Sequence, residues 1–129
     1  MQRFKEILLI DDDPITNFLN EKVLRKLNIA ETIRIAVNGQ EAIEMICLKC
    51  HEGGDCPELI FLDINMPIMD GFEFLNHFKK AAFTNKEKVK IVILSTSTNP
   101  HDIEMARKEN IKMLGKPLTD ETVASVLKG

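Results

Sequence analysis

The sequence has no tryptophan, no tyrosine and only three cysteines among its 129 residues. An odd cysteine count without an export signal favours a reducing cytoplasm over a disulfide scaffold. No apolar run approaches the roughly 20 residues of a membrane-spanning helix, so no membrane contact is expected. The net charge of −3 and the missing Trp and Tyr also disfavour nucleic acid as the main partner.

The sequence does contain a regular alternation of two kinds of segment. Five short apolar runs are predicted strands, and they cover residues 7–10, 33–37, 59–62, 91–94 and 111–114. Each is followed by a stretch with helical spacing of apolar residues. Because most of the runs are apolar throughout, they predict a parallel sheet covered by helices on both faces, which is an α/β doubly wound fold. The second run alternates and is predicted to form an edge strand.

The helices are predicted from their caps and apolar faces. Asp13 and Pro14 are typical of an N-cap followed by proline in the first turn. The residues predicted to face inward from the first, second and fourth helices are Ile15, Phe18, Leu19, Val23 and Leu27; Ala42, Ile43, Ile46 and Cys47; and Ile103 and Ala106.

Polar side chains follow four of the five predicted strands with almost no spacer. They are Asp11, Asp12 and Asp13 after the first strand, Asp63 after the third, Ser95 after the fourth and Lys116 after the fifth. In open parallel sheets, ligands bind outside the carboxyl ends of the strands. The sequence therefore predicts an acidic pocket with one lysine and one hydroxyl.

The predicted pocket suggests phosphoryl chemistry. Several carboxylates within a few ångströms cannot all stay ionised without a cation, and Mg²⁺ prefers such oxygen ligands. A lysine and a hydroxyl opposite the metal would hold the oxygens of a phosphoryl group. Asp63 stands alone at the end of a central strand, so it is the candidate nucleophile for an aspartyl-phosphate.

Four stretches of the sequence carry a family resemblance: ILLIDDDP, LIFLDINMPIMDGFEFL, IVILSTS and GKP, in this order. Together they resemble the receiver domain of two-component response regulators, over essentially the whole chain. The resemblance implies a flavodoxin-like sheet of strand order 2-1-3-4-5, with residues 1–129 forming one receiver domain without an effector domain. It also implies a cytoplasmic signalling phosphoacceptor rather than an enzyme.

The resemblance implies a role for each residue of the pocket. Asp63 would be phosphorylated, Ser95 would hydrogen-bond the phosphoryl group, and Lys116 would pair with it. The implied Mg²⁺ ligands are Asp12 directly, Asp11 mainly through water, Asp63, and Asn65 through its backbone carbonyl. Asp13 corresponds to a position that is often acidic but does not bind the metal, which agrees with its predicted capping role.

The resemblance also implies partners. A histidine kinase or a phosphotransfer protein would supply the phosphoryl group, and an unknown downstream protein would bind the altered surface of a monomer or weak dimer. Receivers commonly carry Tyr or Phe three residues before the lysine, and this chain has Met113 there. Methionine is flexible enough to fill either of two positions, so coupling through Met113 is a hypothesis.

Two other functional interpretations stay open. One is a haloacid-dehalogenase-type phosphohydrolase, with Asp11 as nucleophile, Asp13 as acid/base, and Ser95 and Lys116 holding phosphate. Against it, no acidic pair follows the lysine, and Asp63 with its loop would have no role. The other is a degenerate receiver that binds partners without phosphorylation, which the intact pocket disfavours.

The stretch CLKCHEGGDC offers a separate hypothesis. Cys47, Cys50, His51 and Cys56 could bind zinc, and the first three match a haem-attachment pattern that needs export. The simpler interpretation has Cys47 packed in the core at the end of the second helix. In that case the other three residues belong to an elongated loop.

Overall fold

The computed structural model describes residues 4–47, 56–81 and 88–128, together with the backbone of 48–50. The strands are β1 (Phe4–Ile10), β2 (Ala30–Ala36), β3 (Leu59–Leu62), β4 (Lys90–Leu94) and β5 (Lys112–Leu114). The helices are α1 (Pro14–Leu27), α2 (Gly39–Cys50), α3 (Gly71–Lys80), α4 (Pro100–Lys108) and α5 (Asp120–Lys128).

The five strands form one parallel sheet in the order β2-β1-β3-β4-β5. This confirms the flavodoxin-like fold and the edge position of β2. The strand order reverses between β1 and β3, so the carboxyl ends of these two central strands lie side by side. A polar site is expected at this point of an open parallel sheet.

The sheet is buried on both faces because successive side chains of a strand point to opposite sides. On β1, Leu8 and Ile10 belong to one hydrophobic cluster and Ile7 and Leu9 to the other. All four side chains are at most 1% exposed. The near-continuous apolar runs in the sequence therefore reflect burial on two faces rather than one.

Capping side chains begin several of the helices next to the strand ends. Asp13 accepts a hydrogen bond from the backbone N–H of Ile15 and caps α1, which confirms the predicted helix start. Asp70 and Glu73 form a capping box at α3, and Asn99 caps α4. These caps fix where the chain turns from the site edge of the sheet into each helix.

The predicted inner face of α1 is wrong at its first turns. Ile15, Phe18 and Leu19 are 69%, 65% and 41% exposed. The buried residues of this stretch are instead Asn17 and Asn20, and Leu24 follows them one turn later. Each of the two asparagines makes a side-chain hydrogen bond to the backbone of a segment that carries a site residue, as described below.

Two smaller packing predictions are also wrong. Cys47 is exposed and free rather than packed in the core. Ile103 is 48% exposed, whereas Ala106 is buried as predicted. No helix in the described part of the chain is long and apolar enough to cross a membrane.

Candidate functional site

Three carboxylates gather at the carboxyl ends of the two central strands. One oxygen from each of Asp11, Asp12 and Asp63 lies within 4.8 Å of the others. Asp11 and Asp63 are only 4% and 5% exposed, whereas Asp12 faces solvent. Two buried carboxylates and one at the surface make a donor set of hard oxygens that fits Mg²⁺ with room for water ligands.

Lys116 supplies positive charge to the same cluster from the segment after β5. Its Nζ lies 3.0 Å from Oδ2 of Asp11 and 3.3 Å from Oδ1 of Asp63. Burial of the lysine lowers its pKa, but the hydrogen bond that it donates to Asp11 and the charge of Asp63 outweigh burial, and the pKa is raised. Lys116 therefore stays charged, and it holds the two buried carboxylates together.

Asp63 is the carboxylate of the cluster whose charged form is disfavoured by its surroundings. Burial raises the pKa of its carboxyl group, and the charge of Asp11 raises it further, while Lys116 acts in the opposite direction. One oxygen, Oδ1, also accepts a hydrogen bond of 2.9 Å from the N–H of Ile64. A carboxylate with a raised pKa beside a lysine is poised to gain from added positive charge.

The loop after β3 folds back tightly over Asp63. The N–H of Gly71 donates to the carbonyl of Ile64 at 2.8 Å. A Cβ atom at Gly71 would lie 2.4 Å from the carbonyl oxygen of Asp63, so only glycine fits there. Within this loop Ile68 has a φ of 70° and is 80% exposed, a costly conformation for a β-branched residue.

Ser95 sits at the end of β4 with its side chain buried. It is 6% exposed, and its N–H donates to the carbonyl of Leu114 at 2.9 Å. Its hydroxyl oxygen accepts a hydrogen bond of 3.0 Å from the N–H of Ser97. The Ser97 hydroxyl in turn donates to Asp102 on α4 at 2.6 Å, which ties this loop to the helix.

Asp13 differs from its two neighbours in where its carboxylate points. It is exposed, and it accepts hydrogen bonds from the hydroxyl of Thr16 at 2.6 Å and the N–H of Ile15 at 3.1 Å. The Thr16 bond and then the Ile15 bond lower the pKa of Asp13. The third aspartate of the DDD run thus serves the helix start, whereas Asp11 and Asp12 belong to the carboxylate cluster.

Sequence reasoning missed Asn17 and Asn20. Nδ2 of Asn17 donates to the carbonyl of Asp11 at 2.8 Å. Oδ1 of Asn20 accepts from the N–H of Leu118 at 2.8 Å. The only signal was their i, i+3 spacing within a helix. The predicted metal-binding carbonyl residue, Asn65, is exposed in the loop after Asp63.

The cysteine hypothesis falls partly outside the described residues, which exclude the side chain of Cys50 and all of His51. Cys56 is disulfide-bonded, contrary to the expectation of reduced cysteines. A disulfide sulfur is not a thiolate and cannot be a zinc ligand, which argues against the four-ligand zinc site. Within the described part of the chain, the aspartate cluster is the one group suited to hold a metal ion.

Comparison with known proteins gives the family. A model described as "Response regulator receiver domain" matches residues 7–128. A crystal structure of a two-component response regulator from Cytophaga hutchinsonii is 32% identical with a TM-score of 0.88, covering 98% of this chain and 96% of that one. The chain belongs to the response regulator receiver family.

Curated relatives differ greatly in length. The probable methanogenesis regulatory protein FilR2 of Methanothrix harundinacea is 30% identical, and the match covers 89% of this chain and 74% of that protein. Hybrid signal transduction histidine kinase A of Dictyostelium discoideum is 32% identical over 95% of this chain, which spans only 6% of that protein. These comparisons support the receiver interpretation, and they do not support the phosphohydrolase alternative.

Proposed function

We propose that this receiver accepts a phosphoryl group on Asp63 in a Mg²⁺-dependent transfer and signals through the altered surface. The observation that carries the proposal is the position of Asp63, which is buried, has an oxygen within 4.8 Å of oxygens of Asp11 and Asp12, and lies 3.3 Å from the Lys116 ammonium. Negative charge added to this carboxylate would lie next to the Lys116 ammonium, which would stabilise it.

The donor would be a phosphohistidine on a histidine kinase or phosphotransfer protein. An oxygen of the Asp63 carboxylate attacks phosphorus and forms the new P–O bond. The P–N bond to the imidazole breaks, and its electron pair stays on the ring nitrogen. Mg²⁺ held at this site would supply positive charge to the phosphoryl oxygens. Asp11, Asp12, Asp63 and the carbonyl of Asn65 would hold the ion.

Lys116 and Ser95 would hold the phosphoryl oxygens after transfer. The Lys116 ammonium contacts both Asp11 and Asp63 before transfer. It is close enough to Asp63 to form an ion pair with a phosphoryl oxygen after transfer. The Ser95 hydroxyl accepts from the N–H of Ser97 through an oxygen lone pair, so its proton is available to a phosphoryl oxygen, and a shift of the hydroxyl toward that oxygen would pull on Ser97. That movement is the natural start of a surface change, because Ser97 is bonded to Asp102 on α4.

The output surface would lie over α4 and β5. An open groove of about 460 Å³ runs between them, lined in part by Ile103, Arg107 and Met113. Met113 packs against a hydrophobic cluster and is half-buried, which suits a side chain with two alternative positions. A downstream protein would bind at this groove. The receiver would act in the cytoplasm as a phosphoacceptor, as a monomer or a weak dimer. Nucleic acid and membranes would not be its partners.

The experiment is phosphorylation by phosphoramidate in the presence of Mg²⁺, followed by intact mass measurement. We expect the wild-type protein to gain one phosphoryl group and Asp63→Asn to gain none. Asp70→Asn is the matched control, since Asp70 caps α3 and asparagine caps a helix equally well. Undiminished labelling of Asp63→Asn, with labelling lost in Asp11→Asn, would favour the phosphohydrolase chemistry instead.

A further inference from the structure

Two asparagines of α1 are buried where the helix would be expected to bury apolar residues. Asn17 and Asn20 are 3% and 2% exposed, while Ile15 and Phe18 beside them face solvent. Burying an amide costs free energy unless hydrogen bonds compensate it. An inverted pattern of this kind points to a role for the bonds that the amides make.

Asn17 bonds to the residue that links the carboxylate cluster to the lysine. Its Nδ2 donates to the Asp11 carbonyl at 2.8 Å, while the N–H of Asp11 donates to the carbonyl of Ala36. Asp11 is thus held on both sides, with its carboxylate directed at Lys116. Oδ1 of Asn17 is buried without a hydrogen-bond partner among the described residues.

Asn20 bonds to the segment that carries the lysine. Its Oδ1 accepts from the N–H of Leu118, two residues beyond Lys116, at 2.8 Å. Positions three apart lie on the same face of a helix, so the two amides project from one side of α1. One rigid helix therefore contacts the strand end that carries Asp11 and the segment that carries Lys116.

We propose that Asn17 and Asn20 are positioning residues that set the separation of Asp11 and Lys116 through α1. Both amides bond to backbone groups, so neither would need to contact the phosphoryl group. Asn17 positions Asp11 and thereby the metal, whereas Asn20 positions Lys116 and thereby the phosphoryl oxygens. The inference rests on the proposed function, and it assigns the two asparagines to different steps.

The division of roles predicts different defects for the two variants. Asn17→Ala is expected to weaken Mg²⁺ binding by roughly tenfold or more, the usual cost of losing a residue that orients a metal ligand. Asn20→Ala is expected to leave Mg²⁺ binding nearly unchanged and to slow phosphorylation at saturating Mg²⁺ by a similar factor. A purely structural role would change both quantities together or neither of them.

The experiment compares both alanine variants with wild type and with Leu24→Val. Leu24 is a buried apolar residue on the same helix and controls for lost packing. Mg²⁺ dissociation constants come from calorimetry, and rates come from phosphoramidate labelling. Carbon-13 shifts of the Asp11 carbonyl and the Lys116 side chain in metal-free protein report positioning directly. Asn17→Ser and Asn20→Ser, which keep a hydroxyl, replace any alanine variant that does not fold.

The outcomes separate this inference from the proposed function. A wild type that binds Mg²⁺ and is labelled, with Asn variants indistinguishable from Leu24→Val, would overturn the positioning roles and leave the proposed function standing. A wild type that is not labelled would overturn the proposed function. The carbon-13 shifts of the metal-free protein would still test the positioning roles. The shift of the Asp11 carbonyl must change in Asn17→Ala, and the shifts of the Lys116 side chain must change in Asn20→Ala.

Discussion

Nζ of Lys116 lies 3.0 Å from Oδ2 of Asp11, although the two residues are 105 positions apart in the chain. This ion pair joins the segment after β5 to the end of β1, across the carboxyl edge of the sheet. Both side chains are largely buried, and Asp63 shares the ammonium at 3.3 Å. Lys116 therefore balances the charge of two buried carboxylates.

Replacing Lys116 with methionine should destabilise the metal-free protein by roughly 3 kcal/mol, because it leaves buried carboxylates without a counter-charge. Mg²⁺ should restore more stability to this variant than it adds to wild type, since the ion replaces the missing charge. Urea unfolding with and without Mg²⁺ measures both effects. Lys108→Met, at an exposed position of α4, is the control and should behave as wild type. Equal metal-free stability of Lys116→Met and wild type would count against the pairing.

Asp63→Asn should stabilise the metal-free fold at neutral pH. Burial raises the pKa of Asp63 above its unfolded value, so the folded state binds its proton more tightly. Stability then falls as the pH rises through the interval between the two values, and the asparagine variant does not incur this loss. Its advantage should be full above the raised pKa and should vanish below the unfolded one. The free energy of unfolding of both proteins, measured from about pH 3 to about pH 8, tests this prediction, because that range covers the titration of carboxyl groups. An advantage that grows as the pH falls would contradict it.

Asp12→Asn and Asp13→Asn should differ in Mg²⁺ affinity although the residues are adjacent. Asp12 contributes an oxygen to the cluster, and its loss should weaken binding at least about tenfold. Asp13 caps α1, and asparagine preserves that cap, so the second variant should bind Mg²⁺ nearly as wild type does. Calorimetric titration compares them. Similar losses in both variants would show that overall charge, rather than ligation, controls binding.

Gly71→Ala should destabilise the protein by roughly 1–3 kcal/mol, the usual cost of overpacking. The added methyl group would lie 2.4 Å from the carbonyl oxygen of Asp63 and 2.9 Å from the Cα of Ile64, and both atoms belong to the backbone. Gly115→Ala is the control, because nothing lies within 4 Å of its added Cβ. The thermal unfolding temperature and the extent of phosphoramidate labelling should both fall in Gly71→Ala and stay unchanged in Gly115→Ala. Unimpaired Gly71→Ala would mean that the loop over Asp63 can move freely.

Met113→Ala should weaken the response of α4 to phosphorylation while leaving phosphorylation itself intact. The side chain packs beside the groove between α4 and β5, so its removal should uncouple that surface from Asp63. Amide chemical shifts of α4 before and after phosphoramidate treatment measure the coupling. Leu114→Ala, at a partly buried neighbour on the opposite side of the sheet, controls for lost packing. A response as large as that of wild type would remove Met113 from the switch.

The sheet and the charged part of the site were predictable from the sequence because both depend on local signals. Apolar runs buried on two faces mark the strands, and a polar residue directly after such a run must stand at the sheet edge. Asp11, Asp63 and Lys116 are brought together for that reason. The structure adds what these runs do not encode, namely that the lysine is shared between the two carboxylates.

The inner face of α1 was not predictable in the same way. Ile15, Phe18 and Leu19 have the spacing of a core face, and Asn17 and Asn20 resemble surface residues. Their burial is decided by hydrogen bonds to backbone groups 6 and 98 residues away. The Asn20 bond exists only once the segment after β5 has packed against α1, and the spacing of apolar residues encodes neither bond, so local periodicity gave the wrong face.

The most direct test of the central claim is to locate the phosphoryl group within the chain. The protein is treated with phosphoramidate and Mg²⁺, reduced with borohydride so that an acyl phosphate becomes a homoserine residue, and digested for tandem mass spectrometry. We expect homoserine at position 63 and aspartate at positions 11, 12 and 13. Homoserine at position 11 with Asp63 unchanged would contradict it.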